Sequence, residues 1–91
     1  MKLFRESELI GIITNPKSEG PAIIADLELT EAASNWQDVF DYVMDERSLH
    51  EAPPFDENRL EGWFIQDETG QLRPVFVPAI HDGGKNIEWR W

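Results

Sequence analysis

The sequence predicts a small α+β domain, in which an antiparallel sheet is covered on one face by a single amphipathic helix. Stretches where apolar and polar residues alternate are separated by clusters of turn formers, a pattern typical of β-hairpins. One further stretch has a helical period instead, with apolar residues at i, i+3, i+4, i+7 and i+8. A chain of 91 residues has room for one domain, which we assign to residues 1–91.

Two strands are predicted before the helix. Residues 8–14 are rich in β-branched side chains, which is typical of a buried strand. Residues 15–21 concentrate asparagine, proline, serine and glycine, so we expect them to close a hairpin. In Ala22–Leu29 the apolar residues fall mostly on one face, which predicts the second strand.

The helix prediction is the clearest local signal. Ser34 could cap the helix with Gln37 completing a capping box, or Thr30 with Glu31 could begin it one turn earlier. The apolar stripe that should face the core consists of Trp36, Val39, Phe40, Val43 and Met44. At 100° per residue, the acids Asp38, Asp41 and Asp45 gather on the opposite side, within about 60° of one another.

Three strands are predicted after the helix. Residues 63–66 and 71–77 read as a hairpin around a turn at 67–70, and residues 86–91 alternate as a terminal strand. The expected order is therefore β-β-α-β-β-β, a sheet of about five strands in a two-layer domain. Pro74 cannot donate a hydrogen bond, which favours an edge position for its strand. Trp63, Trp89 and Trp91 should pack with the helix stripe.

The charge is large and local. The chain has 18 acidic and 8 basic residues, a formal net charge of −10. Residues 25–57 hold ten acids and one base, so −9 of this total lies in the central third. A surface this negative repels phosphates, which argues against direct binding to nucleic acid. A concentrated acidic block can instead steer a basic partner.

The candidate partner-binding residues are the acidic face of the helix and the acidic loop that follows it. They are Asp38, Asp41, Tyr42, Asp45, Glu46, Glu51, Asp56 and Glu57. Tyr42 is included because a partly buried aromatic residue is a common anchor at protein interfaces. Trp89 and Trp91, on one side of the last strand, are candidates for a dimer or aromatic contact.

Signals of enzymatic chemistry are missing from the sequence. There is no cysteine, no serine lies in a G-x-S-x-G motif, and His50 and His81 stand in no known metal-ligand spacing. We therefore predict no enzyme, no metal site and no cofactor. No apolar run approaches the ~20 residues that span a bilayer, and the absence of cysteine suits a reducing compartment. The expected location is the cytoplasm, without membrane contact.

These observations favour a small acidic binding protein that inhibits or neutralises a basic, nucleic-acid-handling protein. Immunity proteins and phage anti-defence proteins work in this way, because their carboxylates imitate phosphates and occlude a cationic groove. The alternative is an accessory or homodimeric housekeeping domain whose charge serves solubility only.

Overall fold

The fold is an α+β domain with one α-helix and one curled sheet of seven antiparallel strands. A computed structural model describes the backbone of residues 1–91 and all side chains except those of Arg47 and Leu49. The elements are β1 (Lys2–Arg5), β2 (Glu8–Glu19), β3 (Ala22–Leu29), α1 (Gln37–Met44), β4 (Trp63–Gln66), β5 (Leu72–Val75), β6 (Ala79–His81) and β7 (Asn86–Trp89). Short 3-10 helices span Glu31–Trp36, Glu46–Leu49, Glu57–Leu60 and Asp82–Gly84.

The sheet closes on itself through one connection. Its strand order is β5-β4-β1-β2-β3-β7-β6, so β5 and β6 form its two edges. Only residues 76–78 separate these two strands along the chain. Four peptide units reach at most about 14 Å, so the edges must lie close together and the sheet must curl.

The core fills the inside of this curl. Leu3, Ile65 and Ile87 are fully buried, and Trp63 and Phe40 are the largest buried side chains. The ring of Trp63 lies 5.5 Å from that of Phe40, which joins α1 to the sheet. Such tilted aromatic pairs stabilise a core beyond the apolar area that they bury.

Two of the seven strands were not predicted, and the predicted order was wrong in this respect. β1 and β6 have four and three residues, too few for a periodic signal in the sequence. β1 nevertheless lies in the middle of the sheet, between β2 and β4. The observed order is β-β-β-α-β-β-β-β.

The predicted turn at residues 15–21 was also placed too early. β2 continues to Glu19, with a register shift between Thr14 and Lys17 and a positive φ of 54° at Asn15. The Asn15-Pro16 pair therefore forms a bulge, where a proline without an N–H is tolerated. The chain reverses only at residues 20–21.

The helix begins later than the capping box at Ser34 predicted. Residues from Glu31 to Trp36 form a 3-10 helix, so the chain enters helical structure after Thr30, and α1 follows from Gln37. The Ser34 hydroxyl donates to the Glu31 carbonyl oxygen (2.8 Å) and caps nothing. Of the predicted apolar stripe, Val39 and Phe40 are buried, whereas Met44 is 44% exposed.

Gly84 is a position that only glycine can occupy without strain. Its φ is +94°, and an added Cβ would lie 2.6 Å from Leu29 Cδ1. We expect Gly84→Ala to lower the free energy of unfolding by about 1–3 kcal/mol, chiefly from backbone strain at a positive φ, with displacement of the Leu29 methyl group adding to it. Gly70→Ala is the matched control, since Gly70 has φ +88° but an added Cβ there would meet no atom within 4 Å. Urea denaturation that found equal losses for both variants would contradict the packing argument.

Asp67 stabilises the β4–β5 turn as a carboxylate. Its Oδ1 accepts from the Thr69 hydroxyl (2.5 Å), the Thr69 amide (2.9 Å) and the Gln71 amide (3.1 Å). The hydrogen bond from the Thr69 hydroxyl is the main reason why the pKa of Asp67 lies below its usual range. A lowered folded-state pKa stabilises the fold above the unfolded pKa of about 3.9, and this is lost as the pH falls through the folded-state value.

Asp67→Asn should therefore be less stable than the native chain at neutral pH. The difference should begin to shrink below about pH 4, where the carboxylate of the unfolded chain takes up its proton, and should be lost once the pH falls below the lower folded-state pKa. Thermal unfolding measured at neutral and acidic pH checks this. A difference that stays constant with pH would assign the effect to turn geometry alone.

Candidate functional site

The candidate site is an acidic groove between α1 and the loop that follows it. Its cavity has a volume of about 410 Å³. The lining residues are Asp38, Asp41, Tyr42, Asp45, Ser48, Glu51, Ala52 and Pro54. The groove thus brings together the helix acids and Glu51, which are separated along the chain but were predicted to act on one partner. Four carboxylates around one cavity attract a cationic group.

Helical spacing places the acids on the outer side of α1. Val39 and Phe40 are buried against the sheet, so Asp38 and Asp41 lie on the exposed side. Asp41 is further positioned by Gln37, whose side-chain amide donates to its Oδ1 (2.8 Å). This pair is one helical turn apart and holds the Asp41 carboxylate at the rim of the groove.

Tyr42 joins the two walls of the groove. Its hydroxyl donates to the backbone carbonyl oxygen of Glu51 (2.9 Å) and lies 3.4 Å from that of Ser48. Its ring meets Phe55 edge to face, with centroids 5.4 Å apart. These contacts hold the loop against the helix, so Tyr42 shapes the groove as well as lining it.

Arg59 fastens the far end of the loop to the helical segment. Its guanidinium pairs with Asp38 Oδ2 and donates to the backbone carbonyl oxygen of Asn35. It also lies over the rings of Trp36 (4.7 Å) and Phe55 (5.5 Å). One planar cation therefore makes two hydrogen bonds and two cation–π contacts, a combination that suits arginine better than lysine.

Arg59→Ala should lower the free energy of unfolding by about 1–2 kcal/mol. The figure is modest because Arg59 and Asp38 both keep contact with water, at 28% and 49% side-chain exposure. Arg59→Lys should recover less than half of the loss, because lysine keeps the charge but not the planar fork. Urea denaturation of the three proteins measures this, and full recovery by lysine would reduce the role of Arg59 to its charge.

Three predicted site residues lie outside the groove. Glu46 and Glu57 are exposed within 3-10 helices. Asp56 caps the helix Glu57–Leu60, and its Oδ1 accepts from the Asn58 amide (2.9 Å). Its carboxylate therefore has a structural use. Glu46 and Glu57 add to the negative field around the groove.

The predicted aromatic pair has two different environments. Trp89 is 3% exposed and belongs to the core, whereas Trp91 is 43% exposed. The two rings meet edge to face at 5.7 Å, and the Arg73 guanidinium lies 3.8 Å from the Trp91 centroid. Since Arg73 is in β5 and Trp91 follows β7, this contact bridges the two sides of the sheet where it closes.

The histidines lie apart from the groove lining. His50 is exposed in the loop, and His81 ends β6, where its Nε2 is 3.5 Å from Glu88 Oε1. Among the side chains that the structure describes, no three Asp, Glu or His residues lie close enough together to hold a metal ion.

Sequence reasoning found the acids but missed their supports. Arg59, Ser48 and Pro54 were not predicted, because their roles depend on how the loop folds back on α1.

Comparison with protein-family models, curated proteins and solved structures finds no match to this chain. Within the described part of the chain, no helix is long and apolar enough to cross a lipid bilayer.

Proposed function

We propose that the chain is a small acidic binding protein that occupies the cationic surface of a basic, nucleic-acid-handling protein. The observation that carries the proposal is the groove, where Asp41, Asp45 and Glu51 meet around Tyr42. Carboxylates held in this way can take the place of phosphates on a cationic surface. Binding would then block the partner's access to nucleic acid.

The structure of the groove supports this proposal in two ways. The hydrogen bonds of Tyr42 and the ion pair of Arg59 hold the loop in place before binding, so little ordering remains to be done on association. Tyr42 is half-buried beside the acids, a position typical of interface anchors. The long-range field would speed the encounter, and the anchor would slow dissociation. We place this activity in the cytoplasm.

The experiment is capture of partners from a lysate of the source organism at low and at high salt. The bait is the native chain or the double variant Asp41→Lys/Glu51→Lys. We expect a basic protein to bind the native chain at low salt and to elute at high salt. The same protein should not bind the double variant. The native chain should also release labelled duplex DNA or RNA from the purified partner.

A matched control separates the groove from net charge. Glu19→Lys/Glu68→Lys changes the charge equally, and both residues are exposed and outside the groove lining. If the control loses the partner as fully as the groove variant does, the charge acts only as a whole-molecule property. The alternative, an accessory domain kept soluble by its acidity, would be favoured if the native chain captured no basic protein at low salt.

A further inference from the structure

The outer surface at the closure of the sheet exposes a large apolar side chain. Phe76, between β5 and β6, is 91% exposed. Two cavities of about 240 and 220 Å³ adjoin it, and Phe76 and Arg90 line both. The larger cavity is completed by Pro74, Val75 and Trp91, and the smaller by Val77, Pro78, Glu88 and Trp89. An aromatic ring that water surrounds, beside apolar cavities, is typical of an interaction surface.

The charge at this surface differs from that of the rest of the chain. Residues 72–91 hold three bases and two acids, a net of +1, whereas residues 25–57 carry −9. Two copies of a chain with a net charge of −10 repel each other least where the local charge is close to zero. This surface is therefore a favourable place for two copies to meet.

The surface is also complementary to itself. Phe76 protrudes beside a cavity of about 240 Å³, and an apolar cavity of about 150 Å³ already admits a benzene ring. Glu88 in β7 and Arg90, just after that strand, line the same smaller cavity beside Phe76. A two-fold axis here would form each contact twice. In a symmetric interface, a residue of the first copy contacts a second residue in the other copy, and the same contact is repeated with the copies exchanged.

We infer that this surface joins two copies of the chain in a symmetric dimer. Phe76 of each copy fills the apolar cavity beside Trp91 of the other. Arg90 of each copy pairs with Glu88 of the other. Pro74 in β5 and Pro78 in the connection restrict the backbone on either side of Phe76, so the surface is formed before association. The acidic groove takes no part, and its two copies remain open in the dimer.

The test is sedimentation equilibrium of the purified chain from about 5 to about 500 µM at physiological salt. We expect a reversible monomer–dimer equilibrium. Phe76→Asp should raise the dissociation constant at least about tenfold, because it puts a carboxylate into the apolar cavity. At concentrations where both proteins are monomeric, the variant should have the native melting temperature, since Phe76 is almost fully exposed in the monomer.

A charge exchange tests the arrangement of the two copies. Arg90→Glu should weaken the dimer about tenfold, because the introduced carboxylate would then face Glu88 of the second copy. Arg90→Glu/Glu88→Arg should restore the dissociation constant to within about threefold of the native value. Asp41→Lys/Glu51→Lys in the groove should not weaken the dimer, because these residues lie outside the interface and the change lowers the net negative charge of each copy.

Three results would overturn the inference. The first is a native chain that remains monomeric over the whole concentration range. The second is a dimer that Phe76→Asp does not weaken, which would place the interface elsewhere. The third is a double charge exchange that fails to restore the dimer weakened by Arg90→Glu, which would exclude the two-fold pairing.

Discussion

Replacing Trp63 by alanine should lower the free energy of unfolding by about 3–5 kcal/mol. Trp63 is 1% exposed, and its ring contacts Phe40 and, edge to face at 5.4 Å, Trp36. Its Nε1 donates to the Arg59 carbonyl oxygen (3.1 Å), so one side chain joins the sheet, α1 and the loop segment. A domain of this size has a total stability of about 5–15 kcal/mol, and much of it would be lost.

Urea denaturation followed by far-UV circular dichroism measures this loss. Trp63→Phe should cost about 1–2 kcal/mol, because phenylalanine keeps an aromatic ring but loses volume and the hydrogen bond. Trp91→Ala is the surface comparison, since Trp91 is 43% exposed. This substitution should lower the free energy of unfolding by less than Trp63→Ala does. A loss below about 1 kcal/mol for Trp63→Ala would mean that the helix and sheet are held together elsewhere.

The second large effect concerns the rate of association with the proposed basic partner. Asp41→Lys/Glu51→Lys should slow association about 10- to 100-fold at low ionic strength, since steering contributes factors of about 10 to 1,000. The difference between the variant and the native chain should narrow at high salt, where the Debye length falls to a few ångströms. Stopped-flow or surface-based kinetics across a salt series measures both effects.

The control for this prediction is again Glu19→Lys/Glu68→Lys. It should slow association by less than the groove variant does, because the same change in net charge is made away from the groove. Equal slowing by the two variants would assign steering to the overall charge. A loss confined to the dissociation rate would instead assign Asp41 and Glu51 to short-range contacts in the complex.

Periodicity predicted the parts of the fold that bury one regular face. Val39 and Phe40 follow the helical period, and Ala25 and Leu27 follow the alternation of β3, and all four are buried. β1 and β6 were not predicted because they are too short to show a period, and their positions depend on partners far away along the chain. The bulge at Asn15 resembled a turn because both use the same residue types.

The candidate site was predictable only in part. The 100° spacing of helical residues was sufficient to group Asp38, Asp41 and Asp45. That Glu51 would join them depends on the hydrogen bond from Tyr42 to its backbone, which no local pattern encodes. Arg59 reaches Asp38 across 21 positions of the sequence, and a tertiary pair of this kind produces no local pattern in a single chain.

The position of β1 bears on how the chain can fold during synthesis. Lys2 pairs with Gln66, and Arg5 pairs with Trp63, so β1 lacks one neighbour until β4, which follows it after a long intervening segment, has been translated. Contacts between such distant segments slow folding, because a long loop must close before they stabilise anything. Leu3 and the Trp63 cluster thus meet late, and until then the nascent chain exposes the strands that will form the centre of its sheet.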